Sequence, residues 1–118
     1  MSEPTKQQID QADRLQKVGL CRESEQWILN RYKTQDYSIQ KKSYAGSPWF
    51  ITGPLPTFEE VWPVLMAELK MQIQKGNRHT FGAPVAMNLI VEQMQRHGIA
   101  DQPTTAAIEA LLLIKAGS

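Results

Sequence analysis

The chain has 118 residues, 42% hydrophobic and 21% charged, with a formal charge of +1. That length suits one compact domain, 1–118 with residues 1–4 at its frayed end, and two independent cores are not expected. A single cysteine, Cys21, excludes an internal disulfide framework, and thirteen Lys+Arg against twelve Asp+Glu exclude a global field that would draw the protein onto nucleic acid or an anionic membrane.

Met1 to Asp13 is polar and carries no apolar run, so no secretory signal peptide is expected there. No apolar stretch near either end approaches the ~20 residues of a membrane span. With one thiol, the expected compartment is a reducing cytoplasm.

Ser2 is placed to cap a first helix that accepts Pro4 in its opening turn and carries Ile9, Ala12, Leu15 and Val18 at helical spacing. Gly19 is a left-handed stop, with Leu20 folding back on the last turn. Trp27, Ile28 and Tyr32 then predict a second helix over Arg22 to Lys33, giving an N-terminal helical pair. From Tyr37 to Thr52 the near-alternating Tyr37–Tyr44, the Ala45-Gly46-Ser47-Pro48 break and the β-favouring Trp49-Phe50-Ile51-Thr52 predict a small β-hairpin. Pro54 and Pro56 close it.

Thr57 and Glu60 have capping-box spacing. Phe58, Val61, Trp62, Leu65, Met66, Leu69 and Ile73 follow as one broad apolar face running to Gly76. Pro63, beyond the first turn, predicts a bend near Glu59 or a later start. Gly82-Ala83-Pro84 opens the next helix, which closes at His97-Gly98-Ile99. Pro103 opens a last helix that is apolar almost all round, from Ala106 to Ile114. Such a helix must be covered on most sides, either as the centre of the fold or by a second copy of the chain through a seam at Leu111, Leu112 and Ile114. The expected fold class is therefore mainly α with minor β: about five helices, one hairpin lying between an N-terminal helical pair and three C-terminal helices.

Catalytic constellations are scarce. Cys21 has only His79 and His97 as potential activators and no nucleophile signature around it. His97 and Asp101 are the only closely spaced metal-type pair, and a helix terminus accounts for them, so no metal and no cofactor are expected. Glu59 and Glu60 stand where a helix dipole favours acids, which explains them without acid/base chemistry. The loop Gly76 to Gly82 holds Arg78, His79 and Thr80 ahead of a helix N-terminus, yet five residues separate its glycines and no Lys-Ser/Thr follows, so it is not a Walker loop. The twelve glutamines read as a neutral solvated helix surface.

Eight of the nine aromatic residues fall between Trp27 and Trp62, interleaved with Arg31, Lys33, Lys41 and Lys42. Rings next to cations are anchors for a partner protein, and the same mixture can hold a single nucleic-acid strand. Residues 1–45 carry only eight Lys+Arg against six Asp+Glu, and the last helix has no arginine with which to read DNA. The sequence thus favours a non-enzymatic cytoplasmic interaction module, an adaptor, regulator or inhibitor, over a nucleic-acid-binding accessory protein. The expected contact residues are Lys41, Lys42, Tyr44, Trp49, Arg78 and His79, with another protein as partner, a homodimer as a further association and no membrane contact.

Overall fold

The computed structural model describes residues 3–76 and 82–117. Among them are four α-helices and three strands: α1 (Lys6–Val18), β1 (Gln26–Arg31), β2 (Tyr37–Lys41), β3 (Trp49–Pro54), α2 (Phe58–Gln74), α3 (Ala83–His97) and α4 (Pro103–Ala116). The chain divides into two compact units, Met1–Pro56 and Thr57–Ser118. The architecture is α+β, which corrects the expectation of a mainly helical fold with about five helices.

The N-terminal unit begins with a capping box different from the cap expected at Ser2, which lies outside the described residues. The Thr5 hydroxyl accepts from the Gln8 N–H at 3.1 Å and the Gln8 side chain accepts from the Thr5 N–H at 2.8 Å. Gly19 closes α1 in the left-handed region, at φ 73°, and Leu20 N–H donates back to the Leu15 carbonyl, as the sequence predicts.

The predicted helix over Arg22 to Lys33 is instead β1. Trp27, Ile28 and Leu29 are each 1% exposed or less, so consecutive side chains pointing to opposite sides of a strand are all withdrawn from water. That burial profile suits a central strand, and the sheet order is β2-β1-β3, both pairs antiparallel. The predicted hairpin between the second and third strands is therefore also corrected: β2 and β3 do not pair with each other, because β1 lies between them. Residues 42–48, opening with a 3-10 turn at Lys42–Tyr44, carry the chain from the Gln26 end of β1 to its Arg31 end. The pairing of β1 with β3 slips between Ile28 and Leu29. Helix α1 packs chiefly on β3 and buries Gln11, Ala12 and Leu15 there.

The C-terminal unit is a three-helix arrangement. The Thr57–Glu60 capping box forms, with the Glu60 carboxylate accepting from the Thr57 N–H at 2.8 Å. The helix starts at Phe58 and runs on through Pro63, so the box overrides the later start that proline would favour. Helix α4 packs against both α2 and α3, and Leu113 is its one large apolar residue left substantially exposed. Val61, Leu65, Leu69, Ala86 and Ile90 line the same core. Three polar side chains are buried with them: Glu68, Gln72, whose amide donates to the Ile114 carbonyl at 3.4 Å, and Gln93, whose carbonyl oxygen is 3.2 Å from His97 Nε2. Among the described residues no helix is long and apolar enough to cross a membrane.

Candidate interaction surface

Two exposed aromatic residues of the N-terminal unit stand at the Arg31 end of the sheet. Tyr32, just past β1, is 58% exposed, and Phe50, on β3, is 48% exposed. Strand register brings them together: Asn30 pairs with Phe50 and Arg31 with Trp49, so the two rings meet with centroids 5.6 Å apart and planes tilted by 59°. Such geometry lets a ring edge meet a ring face. The ammonium of Lys33 stands 5.2 Å from the Tyr32 centroid.

The backbone under this pair is tightly tied. Tyr32 N–H donates to the Pro48 carbonyl at 2.7 Å and Arg31 N–H to the Asp36 carbonyl at 2.9 Å. The Asn30 amide donates to the carbonyls of both Thr34 and Asp36 at 3.0 Å, while the Thr34 hydroxyl donates to the Arg31 carbonyl at 2.8 Å. This network holds Lys33 at φ 54°, a left-handed conformation that a residue with a Cβ adopts at a cost. Exposed rings on a fixed backbone lose little conformational freedom when a partner covers them.

The residues singled out from sequence fall in different places. Lys41 pairs with Gln26, whereas Trp49 pairs with Arg31, five positions along β1, so these two residues lie roughly 17 Å apart along the strand direction. Lys42 is exposed, but its ammonium is already engaged 4.7 Å from the Trp27 ring centroid, and the Trp27 indole N–H is occupied by the Ser24 carbonyl at 2.7 Å. Tyr44 is 64% exposed, and Trp49 is half-buried, its backbone bonded both ways with Gly46. Arg78, His79 and most of their glycine-flanked loop lie outside the described residues. Leu111, Leu112 and Ile114 are buried within the single chain.

Tyr32, Lys33 and Phe50 are additional to the contact residues that the sequence suggests. The signal available was the alternation of Trp49-Phe50-Ile51, which turns Phe50 away from its neighbours once 49–54 is a strand. A helix over Arg22 to Lys33 would place Tyr32 on its apolar face with Trp27 and Ile28, away from Phe50. Cys21 is buried, and among the described residues no three His, Cys, Asp or Glu side chains come together as a metal-holding group.

No protein-family model matches the chain, and neither does a curated protein or a solved structure.

Proposed function

We propose that this protein is a small, non-enzymatic cytoplasmic interaction module that engages a partner protein through the Tyr32–Phe50 end of its sheet. The observation that supports the reading most is the exposed, mutually packed ring pair with a lysine ammonium over the Tyr32 ring, Phe50 being held on β3 and Tyr32 on a turn fixed by five hydrogen bonds. Aromatic residues flanked by cations are over-represented among the few side chains that dominate binding energy. Arg31 and Lys33 beside the rings favour an acidic surface on the partner, which sets encounter rate and register more than raw affinity.

The same composition would serve a single nucleic-acid strand, whose bases stack on rings while phosphates meet cations. One experiment separates the two. Proteins captured from native extract by the wild-type chain are compared with those captured by a Tyr32→Ser/Phe50→Ser double variant, with and without nuclease. The captured protein is then purified and its direct binding measured. The reading expects nuclease-resistant direct binding that the double variant, still folded at the assay temperature, weakens by about tenfold or more. Equal binding by the variant, or binding lost on nuclease treatment and falling steeply with salt, would overturn it.

A further inference from the structure

Between the start of α1 and the sheet, the N-terminal unit opens into a pocket of about 470 Å³, within the range of small-molecule sites. Its chemistry is one-sided. Among the described residues, Glu3 and Asp36 line it together with Gln35, Tyr37 and Trp49, and no lysine, arginine or histidine does. Gln40 and Ser38 also line it, and the Gln40 amide donates to the Ser38 hydroxyl at 3.0 Å.

We propose that this pocket takes a primary alkylammonium group, presented either by a lysine side chain of a partner or by a free aliphatic diamine. Three features of the wall select that class. Two carboxylates repel an anion, and an uncharged apolar ligand would strip them of water without replacing their hydrogen bonds. Ring faces carry the negative part of the aromatic quadrupole and attract an ammonium, while their area covers its methylene stem. The carboxylate and amide acceptors suit a group with N–H donors, which a quaternary ammonium lacks.

At the positive end of α1 the capping box engages the Gln8 N–H with Thr5 and the Thr5 N–H with Gln8, which leaves fewer free N–H groups to attract an anion. The Asp36 carboxylate is well placed for the role. The backbone of Asp36 is fixed by bonds from Arg31 N–H, from the Asn30 amide and to the Thr34 hydroxyl, and none of these uses its carboxylate oxygens. Trp49 is fixed in the same manner, by Gly46 and by pairing with Arg31. The proposal stands independently of the Tyr32–Phe50 surface.

The test is calorimetric titration of the full chain with 1,5-diaminopentane, Nα-acetyl-lysine methylamide, 1-pentanol and glutarate, followed in parallel by NMR of the Trp49 indole N–H, assigned with Trp49→Phe. Saturable binding of the amines at about 1 mM or tighter is expected, with a shift of the Trp49 resonance. Asp36→Asn, an exposed position that leaves the backbone bonds intact, should weaken it about tenfold. Tighter binding of the diamine points to a free amine as the natural ligand, and tighter binding of the lysine amide points to a protein side chain; each supports the ammonium site. Binding of 1-pentanol as tight as the amines, binding of glutarate, an unchanged affinity in Asp36→Asn, or no saturation by about 50 mM amine would overturn it.

Discussion

Gly53 of β3 lies directly beneath Ala12 of α1: a Cβ added at Gly53 would overlap the Ala12 carbonyl oxygen. The helix backbone therefore approaches the strand as closely as it does because this position has no side chain. The strand register slips beside it, between Ile28 and Leu29, so the close approach and the irregular pairing occur at one place.

Gly53→Ala should accordingly lower the unfolding free energy by about 2–3 kcal/mol, since the neighbour is backbone and cannot rotate away. Gly117→Ala is the matched control, with only ordinary contacts at 3.7 Å around the added carbon. Urea unfolding of the two variants checks the difference; equal midpoints would remove the steric account.

Pro63 is exposed and interrupts the hydrogen-bond ladder of α2 at the Glu59 carbonyl. Pro63→Ala restores a backbone donor and removes the ring's clash with that carbonyl, at the expense of a more flexible unfolded chain. The net expectation is a gain of about 1–2 kcal/mol, read as a raised thermal midpoint together with slower amide exchange at residue 63 and its neighbours.

Glu68 is 6% exposed in the C-terminal core, 3.8 Å from the Lys115 ammonium, and its second carboxylate oxygen has no hydrogen-bond partner. A buried charge of this kind costs most when its counter-ion is deleted. Lys115→Met should therefore destabilise by about 1–2 kcal/mol, less than for a wholly buried pair because Lys115 is about one-third exposed. The double variant Glu68→Met/Lys115→Met should recover most of that loss. Denaturant titration of the single and double variants decides it, and a double variant no better than Lys115→Met alone contradicts the ion-pair explanation.

Lys17 lies 2.9 Å from Asp13, one turn earlier on α1, and the hydrogen bond and charge of that aspartate hold its ammonium above the ordinary lysine value of 10.5, with Asp10 adding to the effect. A raised folded-state value means that the folded chain keeps this proton more tightly than the unfolded chain does. The pair's contribution is thus complete below about pH 10.5 and is lost as pH rises through the folded-state value. NMR titration of the Lys17 side chain should show its midpoint fall toward 10.5 in Asp13→Asn, with the helix otherwise unchanged.

The exposed ring pair shows how the fold decides which surface residues stand together. Reading Arg22 to Lys33 as a helix placed Tyr32 on a helical face and left Phe50 in a hairpin with the wrong neighbour. Once Trp27-Ile28-Leu29 is a central strand, β1 pairs with β3 and the two rings, eighteen positions apart in sequence, touch. The same register separates Lys41 from Trp49, which the sequence order had suggested as one patch.

What the amino-acid sequence determined by itself was whatever depends on neighbours three to five positions away: the capping box at Thr57 and Glu60, the left-handed ends at Gly19 and Gly98, the proline-led starts of α3 and α4, and the apolar stripe of α2. Those features close their hydrogen bonds locally, so residue type and spacing suffice. The tertiary structure alone decided that residues 26–31 form a strand, that β1 lies between β2 and β3, and that Gly53 receives Ala12. A strand's hydrogen-bond partners and the coverage of both its faces come from distant segments, so a short apolar run such as Trp27-Ile28-Leu29 is ambiguous until the rest of the chain has packed around it.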